Sequence, residues 1–105
     1  MIENCGLSEA DQLTIIKVIQ SFEEIEEVIL YGSRAKGNYK KGSDVDLAIQ
    51  GKEVTDNICS RLHWFLNEET TLPYFFDVTC LNGLNHEGLL EHIKRVGKSL
   101  FLKKY

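Results

Sequence analysis

The chain has 105 residues, 43% of them hydrophobic, and carries a formal net charge of -4 from 16 Asp plus Glu against 12 Lys plus Arg. That length fits one domain, 1–105, with enough core to fold without disulfide or metal staples. The acidic balance excludes a general nucleic-acid grip, and no apolar run approaches the roughly 18 residues needed to span a membrane.

In chain order, Ser8-Glu9-Ala10-Asp11 reads as a capping box, with Ser8 as N-cap and Asp11 at N3. Leu13, Ile16, Ile19 and Phe22 follow at helical spacing, and Ile15 and Val18 widen the stripe; this predicts a helix of about four turns. Val28 to Tyr31 is a short apolar strand closed by Gly32. Ser33 to Lys36 fits one helical turn, and Asn38 to Gly42 a polar loop. Asp44 to Gln50 is a second strand. If it neighbours the first, the two run antiparallel and the glycine turn lies beside the acids. From Val54 to Asn67, Ile58, Leu62, Phe65 and Leu66 recur at helical spacing, and Thr70 to Pro73 stops that helix. Tyr74 to Leu81 is a third strand reached through the helix, the pattern of a right-handed crossover between parallel strands. Asn85 is the expected cap of a last helix bearing Leu89, Leu90, Ile93 and Val96, with Gly97 at C′. Leu100 to Leu102 fits a short edge strand.

The chemistry concentrates around Gly32-Ser33 and Asp44-Val45-Asp46. Residues two apart on a strand share a face, so Asp44 and Asp46 project together with Cα atoms roughly 6.5–7 Å apart. Two carboxylates at 4 Å repel by up to about 4 kcal/mol at an effective dielectric near 20. A cation between them relieves this, and oxygen-only donors select a hard ion such as Mg²⁺. Gly32 permits close approach of backbone to a phosphate, and the Ser33 hydroxyl is a donor beside it. Arg34, Lys36, Lys40 and Lys41 are a local concentration of positive charge in an acidic chain, although Lys40 and Lys41 read more simply as a solvated loop. Asp77 is the one acid in the apolar third strand. A lone carboxylate in a buried strand costs several kcal/mol unless paired or metal-bound. Beside the second strand it faces Asp44 and Asp46, and three carboxylates converge on one or two divalent ions.

Other signals are weaker. Gly32 to Gly37 has a Walker-like spacing, but Asn38 stands where a P-loop needs Lys, and no Gly-x-Gly-x-x-Gly occurs. His63, His86 and His92 have no metal-ligand spacing. Trp64, Phe65, Phe22 and the Tyr74-Phe75-Phe76 cluster are most simply core. Cys5, Cys59 and Cys80 are odd in number and widely spaced, with Cys59 and Cys80 as expected core residues. They point to a reducing compartment; with no signal pattern at Met1 to Asn4, a cytoplasmic location is expected.

Gly32-Ser33, Asp44-x-Asp46 and Asp77 in Phe76-Asp77-Val78 resemble the nucleotidyltransferase superfold shared with DNA polymerase beta and kanamycin nucleotidyltransferase. The likeness is nearer to the minimal nucleotidyltransferases (MNT), which carry only this core, and covers about residues 8–101. It implies an α/β fold (α+β, mixed sheet) in αβαβαβα order, with a small sheet flanked by helices. It also implies transfer of a nucleoside monophosphate, usually AMP from ATP, to a hydroxyl acceptor with release of pyrophosphate. Gly32 and Ser33 would hold the triphosphate, with Arg34, Lys36 and Ser43 as further nucleotide contacts. Asp44 and Asp46 would bind two Mg²⁺ ions, and Asp77 would complete the site of the ion that activates the acceptor. Larger relatives add a helical acceptor domain for which this chain has no room. Minimal members commonly pair with a helical HEPN-type protein in toxin–antitoxin systems and in some cases modify it with AMP. Two readings therefore stand: an active transferase, or a non-catalytic nucleotide-binding module that neutralises a helical partner by covering it.

Overall fold

Helix α1 (Glu9–Gln20) starts at the expected cap, where the Ser8 hydroxyl accepts the Asp11 amide at 3.0 Å. It is followed in the computed structural model, which describes residues 1–104, by β1 (Glu27–Tyr31), α2 (Gly32–Lys36), β2 (Val45–Gln50), α3 (Asp56–Glu68), β3 (Phe76–Cys80), α4 (Glu87–Val96) and β4 (Lys98–Leu102). The four strands form one sheet in the order β3-β2-β1-β4. β1 runs antiparallel to both β2 and β4, whereas β2 and β3 are parallel and joined through α3. The fold is thus a mixed α/β sheet with helices on both faces.

Strand alternation decides what each face covers. Val45, Leu47 and Ile49 of β2 are completely buried on one side, in a core with Val28, Leu30 and Phe76 of the sheet and Ile15, Ile19, Leu62 and Leu66 of α1 and α3. Burying each such aliphatic side chain contributes about 1.5–3 kcal/mol relative to exposure. The opposite face presents Asp46, Ala48 and Gln50. There α4 covers only part of the sheet, packing Ile93 against Tyr31 and Ala48. The apolar helix therefore leaves the end of the sheet that bears the acids uncapped.

The N-terminal segment is tied down by Gln12, a buried polar residue of α1. Its Oε1 accepts the Ile2 amide at 3.0 Å, and its Nε2 donates to the carbonyls of Ile2 at 2.8 Å and Leu7 at 3.1 Å. This holds Cys5 and Gly6 over the α2 region.

Several local expectations are corrected. His86, not Asn85, caps α4: its Nδ1 accepts the Leu89 amide at 3.0 Å. Gly97 is not left-handed (φ -61°). A Cβ there would collide with the Ile93 carbonyl and lie 2.6 Å from Ile29 Cγ2, so close packing is what requires glycine. Trp64 and Phe65 are exposed on α3 and Phe75 is exposed before β3, whereas Phe22 and Phe76 are buried. α3 packs one stripe, Ile58, Leu62 and Leu66, and a second aromatic stripe has no layer beyond it. Cys59 is buried and Cys80 partly so, and all three cysteines are free thiols. Among the described residues no helix is long and apolar enough to cross a membrane.

Candidate functional site

The parallel register of β2 and β3 sets Asp46 directly opposite Asp77, and the antiparallel register of β1 and β2 sets Tyr31 opposite Asp46. Paired residues share a face, so both carboxylates project from the side that α4 covers in part. Asp44 lies just ahead of β2, two positions before Asp46, and is exposed. The register therefore sets Asp46 beside Asp77 at the N-terminal ends of two neighbouring parallel strands, with Asp44 on the loop just before them. Asp77 departs from its expectation in one respect: β3 is an edge strand and Asp77 is exposed, so its carboxylate carries no large desolvation cost.

The strain of the cluster falls on Asp46 instead. Partial burial, and then the charges of Asp77 and Asp44, push its carboxyl up to about 6, with Arg34 acting in the opposite direction. Burial also raises the phenol of Tyr31, and Asp46 and Asp77 add to the rise. A hydrogen bond to Thr79, with 2.9 Å between the two hydroxyl oxygens, works against it. That bond ties the end of β1 to β3, beside Asp77.

Gly32 stands where β1 turns into α2, at φ +75°, a conformation that side chains with a Cβ disfavour. A Cβ at this position would also run into the Asp46 carboxylate. Glycine thus lets the main chain lie directly against an acid. The Gly32 amide donates to His92 Nε2 at 3.3 Å, and the His92 ring meets Tyr31 edge-on at 6.0 Å. His92 joins α4 to the glycine turn. Ser33 is half-buried on the first turn of α2, and Lys36 is exposed at its end.

Arg34 and Ser43 have other engagements. Arg34 is only 4% exposed; its Nη1 donates to the Cys5 carbonyl at 3.0 Å, and its Nη2 and Nε donate to the Ser43 carbonyl at 2.9 and 3.3 Å. Its guanidinium lies between the rings of Tyr39 and Tyr74, 5.2 and 5.1 Å from their centroids. The Ser43 hydroxyl accepts the Lys40 amide at 2.8 Å. These two residues shape the loop that delivers Asp44.

The donor set at the acids is oxygen-only and electrostatically unbalanced, which suits a hard divalent cation. Among the described residues no three His, Cys, Asp or Glu side chains are already drawn into a ligand cluster. Sequence reading missed Tyr31, Thr79, His92 and the Tyr39–Arg34–Tyr74 stack. Tyr31 adjoins the glycine turn and was within reach; the others lie far apart in the chain and meet only through the sheet.

The model of the family described as polymerase beta, nucleotidyltransferase matches residues 14–105. No sequence among curated proteins matches the chain significantly. A chain of a toxin–antitoxin crystal structure with AMP-PNP superposes with a TM-score of 0.74 at 21% identity, covering 90% of this chain and 75% of that one. A chain of the MntA–HepT toxin–antitoxin structure gives 0.69 at 21% identity, covering 91% and 74%. A chain of the complex of tri-AMPylated Shewanella oneidensis HEPN toxin with MNT antitoxin gives 0.66 at 19%, covering 88% and 70%.

Proposed function

Because the chain belongs to the polymerase beta nucleotidyltransferase family, we propose that it transfers a nucleoside monophosphate, AMP from ATP, to a hydroxyl acceptor. The observation that carries the reading is the register of Asp46 against Asp77, with Asp44 two residues earlier and Gly32 pressed against Asp46. In the transfer, the acceptor oxygen bonds to the α-phosphorus, the bond from that phosphorus to the bridging oxygen breaks, and pyrophosphate leaves. Asp44, Asp46 and Asp77 would hold Mg²⁺, which when bound supplies charge neutralisation at the phosphate oxygens and activation of the acceptor hydroxyl.

The rest falls to the chain. Asp77, the exposed carboxylate at the sheet edge, would take up the proton of the incoming hydroxyl. Gly32 lets the triphosphate approach the main chain, and the Ser33 hydroxyl and Lys36 ammonium are the contacts beside it. Arg34 and Ser43 act indirectly, by fixing the loop before Asp44. The likeness to chains of toxin–antitoxin complexes, one of them with an AMPylated HEPN toxin, supports a HEPN-type partner as acceptor.

The test is incubation with ATP labelled at the α-phosphate, Mg²⁺ and candidate hydroxyl acceptors, including any helical protein that co-purifies. Label should pass to one acceptor, and Asp46→Asn should lower the rate by orders of magnitude with the fold retained. Absence of transfer to every acceptor, or equal transfer by the Asp44→Asn/Asp46→Asn/Asp77→Asn triple variant, overturns the reading. In that case tight complex formation with the partner, unaffected by the triple substitution, would establish the binding module instead.

A further inference from the structure

A second concave feature lies on the other side of Arg34. Gly6, Arg34, Tyr39, Lys40, Lys41, Gly42, Pro73 and Tyr74 line an open cavity of about 570 Å³. None of the three acids lines it. Its walls come from the N-terminal segment, the loop after α2 and the approach to β3, brought together by the bonds Arg34 makes to Cys5 and Ser43. We propose that this pocket is an anion site that holds a phosphate-bearing ligand next to the acid cluster.

Three observations support it. The pocket gathers three cations, Arg34, Lys40 and Lys41, in a chain of net charge -4. Among the described residues no carboxylate forms a salt bridge with Lys40 or Lys41, both of which are exposed. The guanidinium is only 4% exposed and is bonded through all three nitrogens to the Cys5 and Ser43 carbonyls, so it fixes the pocket wall and adds its charge, while the lysines are the groups that reach a ligand. Gly6 lets the N-terminal segment pack against this wall: at φ +75°, a Cβ there would lie 2.5 Å from Arg34 Nη1 and from Tyr39 Cε2. Asp11 accepts the hydroxyl of Tyr74 at 2.6 Å but does not itself line the pocket. Two exposed ammoniums beside a guanidinium that is itself held on the Cys5 and Ser43 carbonyls supply the positive charge that phosphate oxygens seek.

The site stands on its own geometry and does not require that the acids be catalytic. If they are, it gives a phosphorylated substrate a handle beside them. Inorganic tripolyphosphate is the probe, titrated calorimetrically at low salt with EDTA so that metal-dependent binding at the acids is absent. Wild type should bind. Lys40→Glu/Lys41→Glu should weaken binding by about tenfold or more, and Asp44→Asn/Asp46→Asn/Asp77→Asn should keep or improve it. Amide NMR shifts should centre on residues 40–42 and Tyr39. Unchanged affinity in the lysine variant, or shifts centred on Gly32 and Ser33, overturns the proposal. Absence of nucleotidyl transfer leaves it standing, because the titration involves neither Mg²⁺ nor chemistry.

Discussion

Asp46→Asn separates what the cluster does for chemistry from what it costs the fold. A carboxyl raised from 3.8 to about 6 corresponds to about 3 kcal/mol of disfavoured ionisation at neutral pH. Asp46 is only partly buried, and solvent screening reduces this to about 1–2 kcal/mol. The sign follows from linkage: the folded state binds the proton more tightly than the unfolded state. Below pH 3.8 both states are protonated and there is no penalty. The penalty grows as pH rises through the interval from 3.8 to about 6 and is complete above it. Asparagine keeps the shape and removes the charge. In EDTA at pH 7.5, Asp46→Asn should therefore be more stable than wild type by about 1–2 kcal/mol, or about 5–10 °C in Tm. At pH 3.5 the two should coincide. Urea unfolding at both pH values measures it. A variant less stable than wild type at pH 7.5, or a gap independent of pH, refutes the claim that burial and the neighbouring acids disfavour the Asp46 carboxylate in the folded state. Adding Mg²⁺ should raise the Tm of wild type and leave that of the variant nearly unmoved.

The remaining predictions use neighbouring residues. Gly32→Ala forces a side chain into positive φ and onto the Asp46 carboxylate; it should cost about 1–3 kcal/mol in chemical denaturation and abolish nucleotidyl transfer. Asp77→Asn sits on an exposed edge, so stability should change by less than about 0.5 kcal/mol while transfer of α-phosphate label from ATP falls by orders of magnitude. Arg34→Met leaves the Cys5 and Ser43 carbonyls without their donor and should destabilise by about 2–4 kcal/mol in urea melts. Arg34→Lys should not restore the loss, because an ammonium cannot span both carbonyls between two tyrosine rings.

The acids and the glycine turn were legible because strands enforce a simple rule: residues two apart share a face, and a Gly-Ser turn after an apolar run ends a strand. Pairing across the sheet was inferable in direction, since β1 into β2 without a crossover favours antiparallel neighbours, and the α3 connection favours parallel β2 and β3. Composition could not tell which strand lies at the edge. Asp77 looked like a buried charge only because its flanks are apolar; Phe76 and Val78 point to the other face, and no strand lies beyond β3. Trp64 and Phe65 looked like core for a related reason, as hydrophobicity does not say whether a second layer exists to receive it.

By itself the sequence determined the order of elements, the Ser8 cap and the family, because these depend on local geometry and on residues near one another in the chain. The tertiary structure decided the tasks of Arg34, His92, Tyr31 and Thr79. Each acts through a partner supplied by another element: Arg34 reaches the N-terminal segment, His92 reaches from α4 to Gly32, and Tyr31 crosses β2 to Thr79. A side chain's charge is written in its identity, but whether that charge meets a ligand or a carbonyl depends on which distant atoms the fold sets beside it.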